Sequence, residues 1–388
     1  MQVPERHIPE LDGLRGIAIL SVFIFHTYGF LDVKGVPRWL IRLAAQGWTG
    51  VDLFFVLSGF LITGILLDTR ESAHYFRNFY VRRFLRIFPL YYSVLTGVIL
   101  VTTTVECREC QPFLPTAHQY PFYYAYLTNF LAFSKAPPQE NWLWHFWTLA
   151  IEEQFYILWP LCIWIIPRRR LKWVAIFVSI AALALRLAWV HLSGPFLGIA
   201  VATPARVDTL LVGALCAVVY RESKMLNTLR RWLFPAASLC LGVFLFFAFV
   251  LTKPDEYYSF VLTVAYTLLA IGFGSVVLLV VSNADEQNPV RRLLRSRGLM
   301  RAGKYSYGMY VFHPIIIGPS LHFLSPYLAN TPSLYAGIIF VGATFVATVA
   351  VSALSYEMVE ARILRLKRYF APGFERAGVP QVRDVLCR

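Results

Sequence analysis

Ten ionisable side chains of this 388-residue chain fall inside or at the edges of long apolar runs: Arg15, His26, Asp52, Glu152, Glu153, Arg186, Arg206, Asp208, His313 and Glu357. Charge in hydrocarbon is costly, so such groups pair, face a wet cavity or do chemistry. Arg15 and His26 lie eleven residues apart on one apolar run. As a helix that is three turns, one face and about 16 Å. Imidazole there can act as a base or nucleophile, or simply pack. Arg82 and Arg86 are spaced to project together, with Arg83 beside them. Guanidinium pairs grip phosphates bidentately, but the same residues also serve as ordinary topology charges. Glu152 is seven residues from His145, so the two share a stripe. A carboxylate buried there needs a proton, a cation or a histidine. Arg186, Arg206 and Asp208 fall at depths similar to His26 and Glu152. They can bind substrate or form a structural ion-pair network.

The elements that hold these residues are membrane helices. Hydrophobic residues make up 57% of the chain and charged ones only 15%, too little polar surface for a soluble protein of this length. Apolar runs long enough to cross a bilayer recur from end to end. They predict an all-α polytopic protein of about ten spans, over 14–31, 48–67, 87–105, 145–166, 171–192, 205–220, 233–251, 259–281, 305–323 and 334–356. The aromatic stretch 120–133 is too short to span and reads as an interfacial or re-entrant piece.

Loop charge orients the spans. Alternate connections are rich in arginine, among them the groups at Arg77–Arg86, Arg168–Lys172, Arg221–Arg231 and Arg291–Lys304. The connections between them hold few basic residues. The alternation predicts both termini in the cytoplasm and holds only for an even number of spans. It also accounts for the net charge of +14 without nucleic acid, as topology signals and contacts with anionic lipid.

The longest outer connection, 106–144, is rich in Pro, Tyr and Trp and suits a lid or binding surface. Residues 1–370 read as one membrane module and 371–388 as a loose tail, with no cleaved leader and no fused soluble domain expected. Cys162, Cys216 and Cys240 lie in apolar runs as small hydrophobes. Cys107 and Cys110 share the outer connection, where a disulfide would close a tight ring. No metal is expected, because further ligands are not visible nearby.

Six segments resemble the acyltransferase-3 family of membrane O-acyltransferases: ELDGLRGIAIL with His26 beyond it, GVDLFFVLSGFLITGIL from Gly50, FYVRRFLRIFPLYY from Phe79, HFWTLAIEEQFYILWPL from His145, RVDTLLVGALCA from Arg206, and GKYSYGMYVFHPI from Gly303. They occur in the family's order. The resemblance implies transfer of an acyl group, often acetyl, from cytoplasmic acyl-CoA to a hydroxyl of a saccharide or other glycosylated acceptor, in a bacterial inner membrane. It assigns Arg15, Arg82, Arg83 and Arg86 to the acyl-CoA. His26 and Glu152 become the catalytic pair, with Glu152 orienting or charge-compensating the His26 imidazolium. Thr148 stands where the family usually has serine. Asp52, Thr148, Arg186, Arg206, Asp208 and His313 remain candidates for substrate or oxyanion contacts, and a covalent acyl-His26 competes with general-base catalysis. A proton-coupled transporter would use similar buried charges. The arginine cluster aligned with a histidine on one helix favours the enzyme.

Overall fold

The computed structural model describes residues 8–31, 36–104, 113–134, 141–193, 196–282, 287–329 and 334–370. Among these the chain is all helical, with no strand. Eight helices are long and apolar enough to cross a membrane. Two more have the length but not the composition, α6 (Phe146–Ile165, 20 residues) and α14 (Arg297–Ala329, 33 residues). Glu152, Glu153 and Gln154 dilute α6, and a string of basic and polar residues dilutes α14. The ten expected spans count these two helices. Composition alone gives eight because polar and charged residues lower the hydropathy of the other two.

The order begins with α1 (Pro9–Thr27), the short α2 (Arg38–Ala45), α3 (Gly50–Thr69), α4 (Tyr75–Thr104) and α5 (Tyr120–Tyr124). After α6 come α7 (Arg168–Ser193), α8 (Leu197–Val201), α9 (Thr203–Arg221), α10 (Ser223–Val250), α11 (Pro254–Phe260), α12 (Tyr266–Ser282) and α13 (Pro289–Leu294). The long α14, then α15 (Leu334–Ser355) and α16 (Ala361–Leu364), complete it. Helix α1 packs on α14 and α3, and α9 packs on α3 and α7. These central helices are where the buried ionisable residues lie. Helices α7, α10 and α15 instead turn residues such as Phe177, Phe234 and Ile339 outward, as lipid-facing surfaces do.

Small residues let the central helices approach closely. A Cβ on Gly59 of α3 would strike the backbone carbonyl of Leu210 on α9, and one on Gly213 of α9 would strike that of Val56. Apolar burial does not drive association between helices in lipid, so such close packing carries much of it. The start of α1 is fixed differently. Pro9 and two first-turn acids suit a helix N-terminus. The buried Glu10 accepts from Arg291 at 2.7 Å and Arg295 at 2.8 Å, tying α1 to the segment around α13.

Two expected helix starts need correction. Helix α4 begins at Tyr75, not near residue 87, so Arg77, Arg82, Arg83 and Arg86 stand on the helix rather than before it. Arginine is a good helix former, and a hydropathy window ends where charge begins even when the helix does not. In the same way α14 carries Arg297, Arg301 and Lys304 on its own first turns. The stretch 120–133 is two short helical pieces folded into the protein, with Tyr123 and Asn129 buried. Cys107 and Cys110 lie outside the described residues.

Candidate active site

Three cavities follow one another through the bundle, and each shares lining residues with the next. The first, of about 570 Å³, is an arginine chamber with six basic residues (Arg15, Arg82, Arg83, Arg86, Arg221 and Lys367) against two acids, Asp12 and Asp68. The acids are engaged. Arg221 donates to both Asp68 oxygens, at 2.8 and 2.5 Å, and Arg15 donates to Asp12 at 2.9 Å. Arg83 and Arg86 make no salt bridge among the described residues; Arg83 instead lies over the Tyr156 ring at 5.8 Å. Arg83 and Arg86 therefore keep guanidinium donors to spare, and such groups suit phosphates.

Arg15, Arg83, Arg86 and Leu61 also line the second cavity, a waist of about 110 Å³. Glu152 sits there beside Ser58 and Tyr156, whose hydroxyls bond to each other. Val51, Thr148 and Tyr310 close its far end and open on the third cavity. Thr148 Oγ1 and Tyr310 OH are 2.5 Å apart, and each is 3.0 Å from the carbonyl oxygen of His145. Both hydroxyls are within donating distance of that carbonyl and of each other.

The third cavity, of about 630 Å³, is an aromatic chamber lined by Trp48, Trp142, Trp144, Trp147, Tyr257 and Tyr266, among others. Its ionisable lining is His26, His145, Asp52 and Arg206. His26 keeps surface open to the chamber. Its Nδ1 lies 2.9 Å from the Val22 carbonyl, which can only accept, so Nδ1 carries the proton and Nε2 is left as an acceptor. The His26 ring meets His313 edge-on at 4.8 Å, and His313 meets His145 at 5.5 Å. Nε2 of His313 and both nitrogens of His145 are buried without a partner among the described residues.

Helices α1 and α6 set this sequence of groups. On α1, Arg15 serves the arginine chamber and waist while His26 serves the aromatic chamber. On α6 the stripe runs the other way: His145 precedes the helix, Thr148 stands at the junction, and Glu152 and Tyr156 line the waist. The arginines predicted to work together do share a chamber. Glu152 and His26 do not, because they line different cavities on either side of the Thr148–Tyr310 junction. The group that orients the His26 ring is the Val22 carbonyl of its own helix.

The remaining candidates form two buried ion pairs of different character. Arg186, fully buried, gives Nε to Thr263 O at 3.0 Å, Nη1 to Ala205 O, and Nη2 to Asp208 at 2.7 Å and Thr267 at 2.6 Å. Thr267 also donates to Asp208, at 3.0 Å. Neither Arg186 nor Asp208 lines a cavity described above, and this pair is structural. The Thr263 carbonyl is available because residues 261–265 form a π turn ahead of α12. Arg206 donates to Asp52 at 2.8 Å and lies 3.5 Å above the Tyr266 ring, and both members line the aromatic chamber. Sequence reasoning missed Tyr310, Ser58 and Tyr156, whereas Trp142 and Trp144 of the wall fall in the connection read as a lid or binding surface. Tyr310 had one signal: it stands three residues before His313 and so shares its helix face.

The family model described as "Acyltransferase domain", Acyl_transf_3, matches residues 8–357. The peptidoglycan O-acetyltransferase OatA of Listeria monocytogenes is 27% identical over 379 residues, covering 92% of this chain and 56% of the relative. A provisionally named O-acetyltransferase of Staphylococcus aureus is 27% identical over 376 residues, covering 92% of this chain and 57% of the relative. YrhL of Bacillus subtilis, provisionally named a peptidoglycan O-acetyltransferase, is 29% identical over 336 residues, covering 80% and 49%. The chain thus spans about half the length of the curated relatives it matches. No solved structure matches it.

Proposed function

The chain belongs to the acyltransferase-3 family, and on that premise we propose that it moves an acyl group, acetyl by analogy with these relatives, from acyl-CoA to a saccharide hydroxyl. In this reading it crosses a bacterial inner membrane about ten times with both termini in the cytoplasm. The arginine chamber then opens inward and the aromatic chamber outward. The observation that carries the reading is the continuous run of cavities from the arginine chamber to an accessible histidine. Arg15 and His26 stand eleven helical residues apart, about 16 Å, a distance comparable with the reach of a pantetheine arm.

Arg15, Arg82, Arg83 and Arg86 hold the nucleotide phosphates. The arm threads the waist past Glu152, and the thioester reaches the junction at Thr148 and Tyr310. Their hydroxyls are the polar donors nearest that point, and one of them stabilises the oxyanion. His26 Nε2 accepts the acceptor's hydroxyl proton as its oxygen attacks the thioester carbon. The carbon–sulfur bond then breaks, and the imidazolium returns the proton to the departing thiolate. No second carboxylate is required, since the Val22 carbonyl already fixes the tautomer. Glu152, among the arginines and hydroxyls of the waist, balances charge there.

Ligand-induced stabilisation tests the reading. CoA and acetyl-CoA should raise the unfolding temperature of the purified protein, whereas a carrier for sugars or drugs should respond to neither. Absence of any shift with both would remove the acyl-CoA step.

A further inference from the structure

The aromatic chamber holds one carboxylate and one guanidinium that the mechanism leaves unused, Asp52 and Arg206. They are 0% and 1% exposed, and only one of their possible contacts is made, Arg206 Nη2 to Asp52 Oδ1 at 2.8 Å. Asp52 Oδ2 and Arg206 Nε and Nη1 have no partner among the described residues. The neighbouring pair shows that this is not forced by the site. Arg186, packed against the same helices, spends all three of its nitrogens on Thr263 O, Ala205 O, Thr267 Oγ1 and Asp208, and only Asp208 Oδ1 of that pair lacks a partner among the described residues. Buried charged groups left with open valences are costly unless a ligand fills them. Arg206 is also held rigidly, 3.5 Å above the Tyr266 ring.

The pattern of open valences defines what fits. The pair offers a free acceptor on Asp52 beside free donors on Arg206, and its formal charges cancel. An anion would gain Arg206 but face the Asp52 oxygen. A free oxyanion donor would not be placed next to a carboxylate for the same reason. Two adjacent hydroxyls of a neutral sugar satisfy both sides, one donating to Asp52 Oδ2 and its neighbour accepting from Arg206. Around the pair, Trp48, Trp144, Trp147 and Tyr266 supply flat apolar walls for the faces of pyranose rings. The chamber's volume, about 630 Å³, suits an oligosaccharide end.

Resting on the reading that the aromatic chamber receives the acceptor, we infer that Asp52 and Arg206 form a clamp for vicinal hydroxyls that selects neutral pyranosides over anionic ones. They are positioning residues. They fix which hydroxyl meets His26 and touch neither the thioester nor the proton in flight.

The test is saturation-transfer NMR on the full chain in a sugar-free detergent. The probes are tetra-N-acetylchitotetraose (chitotetraose below), which is neutral, and a hyaluronan tetrasaccharide, in which every second ring is a uronate. Wild-type protein should bind chitotetraose at least several-fold more tightly. Arg206→Gln and Asp52→Asn should each weaken it about tenfold to a hundredfold, as expected for losing a hydrogen bond to a charged group. The neutral double variant Asp52→Asn/Arg206→Gln should weaken it no further than the worse single change, because the two act as one unit. Equal or tighter binding of the uronate by wild type would overturn the clamp, and that arm needs no variant to fold. So would full chitotetraose binding by the folded double variant, or no binding of chitotetraose to wild type. Stabilisation by CoA, measured on the same sample, separates the outcomes. Its loss would sink the acyltransferase reading while leaving saccharide selection to stand or fall alone.

Discussion

The two large chambers are of similar size and opposite chemistry. The arginine chamber has a surplus of positive charge on long side chains, six basic residues against two acids. The aromatic chamber has rigid rings and a single self-neutralised ion pair. Flexible guanidinium groups suit a highly charged ligand that is always the same, because point charge and bidentate contacts do not depend on fine shape. Flat walls and a few fixed polar atoms suit a neutral ligand that must be held by shape and by hydroxyl pattern. The waist between them carries the hydroxyl pair of Thr148 and Tyr310 and keeps the two chambers from merging. The difference teaches that one bundle can serve two unlike substrates if each enters its own end and only the reacting atoms meet.

The largest effect should come from breaking the scaffold of the aromatic side. Arg186→Leu strands Asp208 in a fully buried position, a change that costs roughly 3–5 kcal/mol. Folded protein recovered in detergent should fall to near nothing, and normal yield and unfolding temperature would show that the pair is not structural. Next comes the arginine side. Arg83→Ala together with Arg86→Ala should weaken CoA binding about a hundredfold or more, by two lost contacts to charged groups. Wild-type CoA binding should also weaken steeply with added salt, whereas chitotetraose binding should barely change. If both ligands responded alike to salt, the contrast between the chambers would be wrong. The smallest effect belongs to the junction. Tyr310→Phe removes one hydroxyl and leaves the ring, and the rate of transfer should fall about tenfold to a hundredfold with little change in KM for either substrate. A purely KM effect would make Tyr310 a wall of the chamber instead of a donor to the reacting carbonyl.

Much of this was legible in the residues themselves. Helix periodicity and apolar length placed α1, α3 and α9 and put Arg15 and His26 on one face, because those properties are local to the chain. The arginines of α4 were legible as a group for the same reason, though their helix was not, since charge hides a helix from a hydropathy scan. Contacts between distant segments were not legible. Nothing in the spacing of Glu152 said that it would face Ser58 and Tyr156 rather than His26, because that depends on how α6 rotates against α3 and α1. Likewise Arg186 and Arg206 looked alike as buried arginines on neighbouring spans. Only their packing separates an arginine fully engaged by the protein from one with nitrogens left for a ligand.

The central claim is that His26 handles the proton while the arginines, about 16 Å away, hold the donor. It is tested most directly by measuring acetyl-CoA affinity and acetyl transfer on the same preparation of His26→Ala. The account predicts unchanged affinity and a transfer rate lower by at least about a hundredfold, the usual scale for a lost general base. Radiolabelled acetyl retained on wild-type protein without acceptor, and absent from the variant, would assign His26 as nucleophile rather than base within the same account. A His26→Ala protein that transfers at near-normal rates would contradict it in either form.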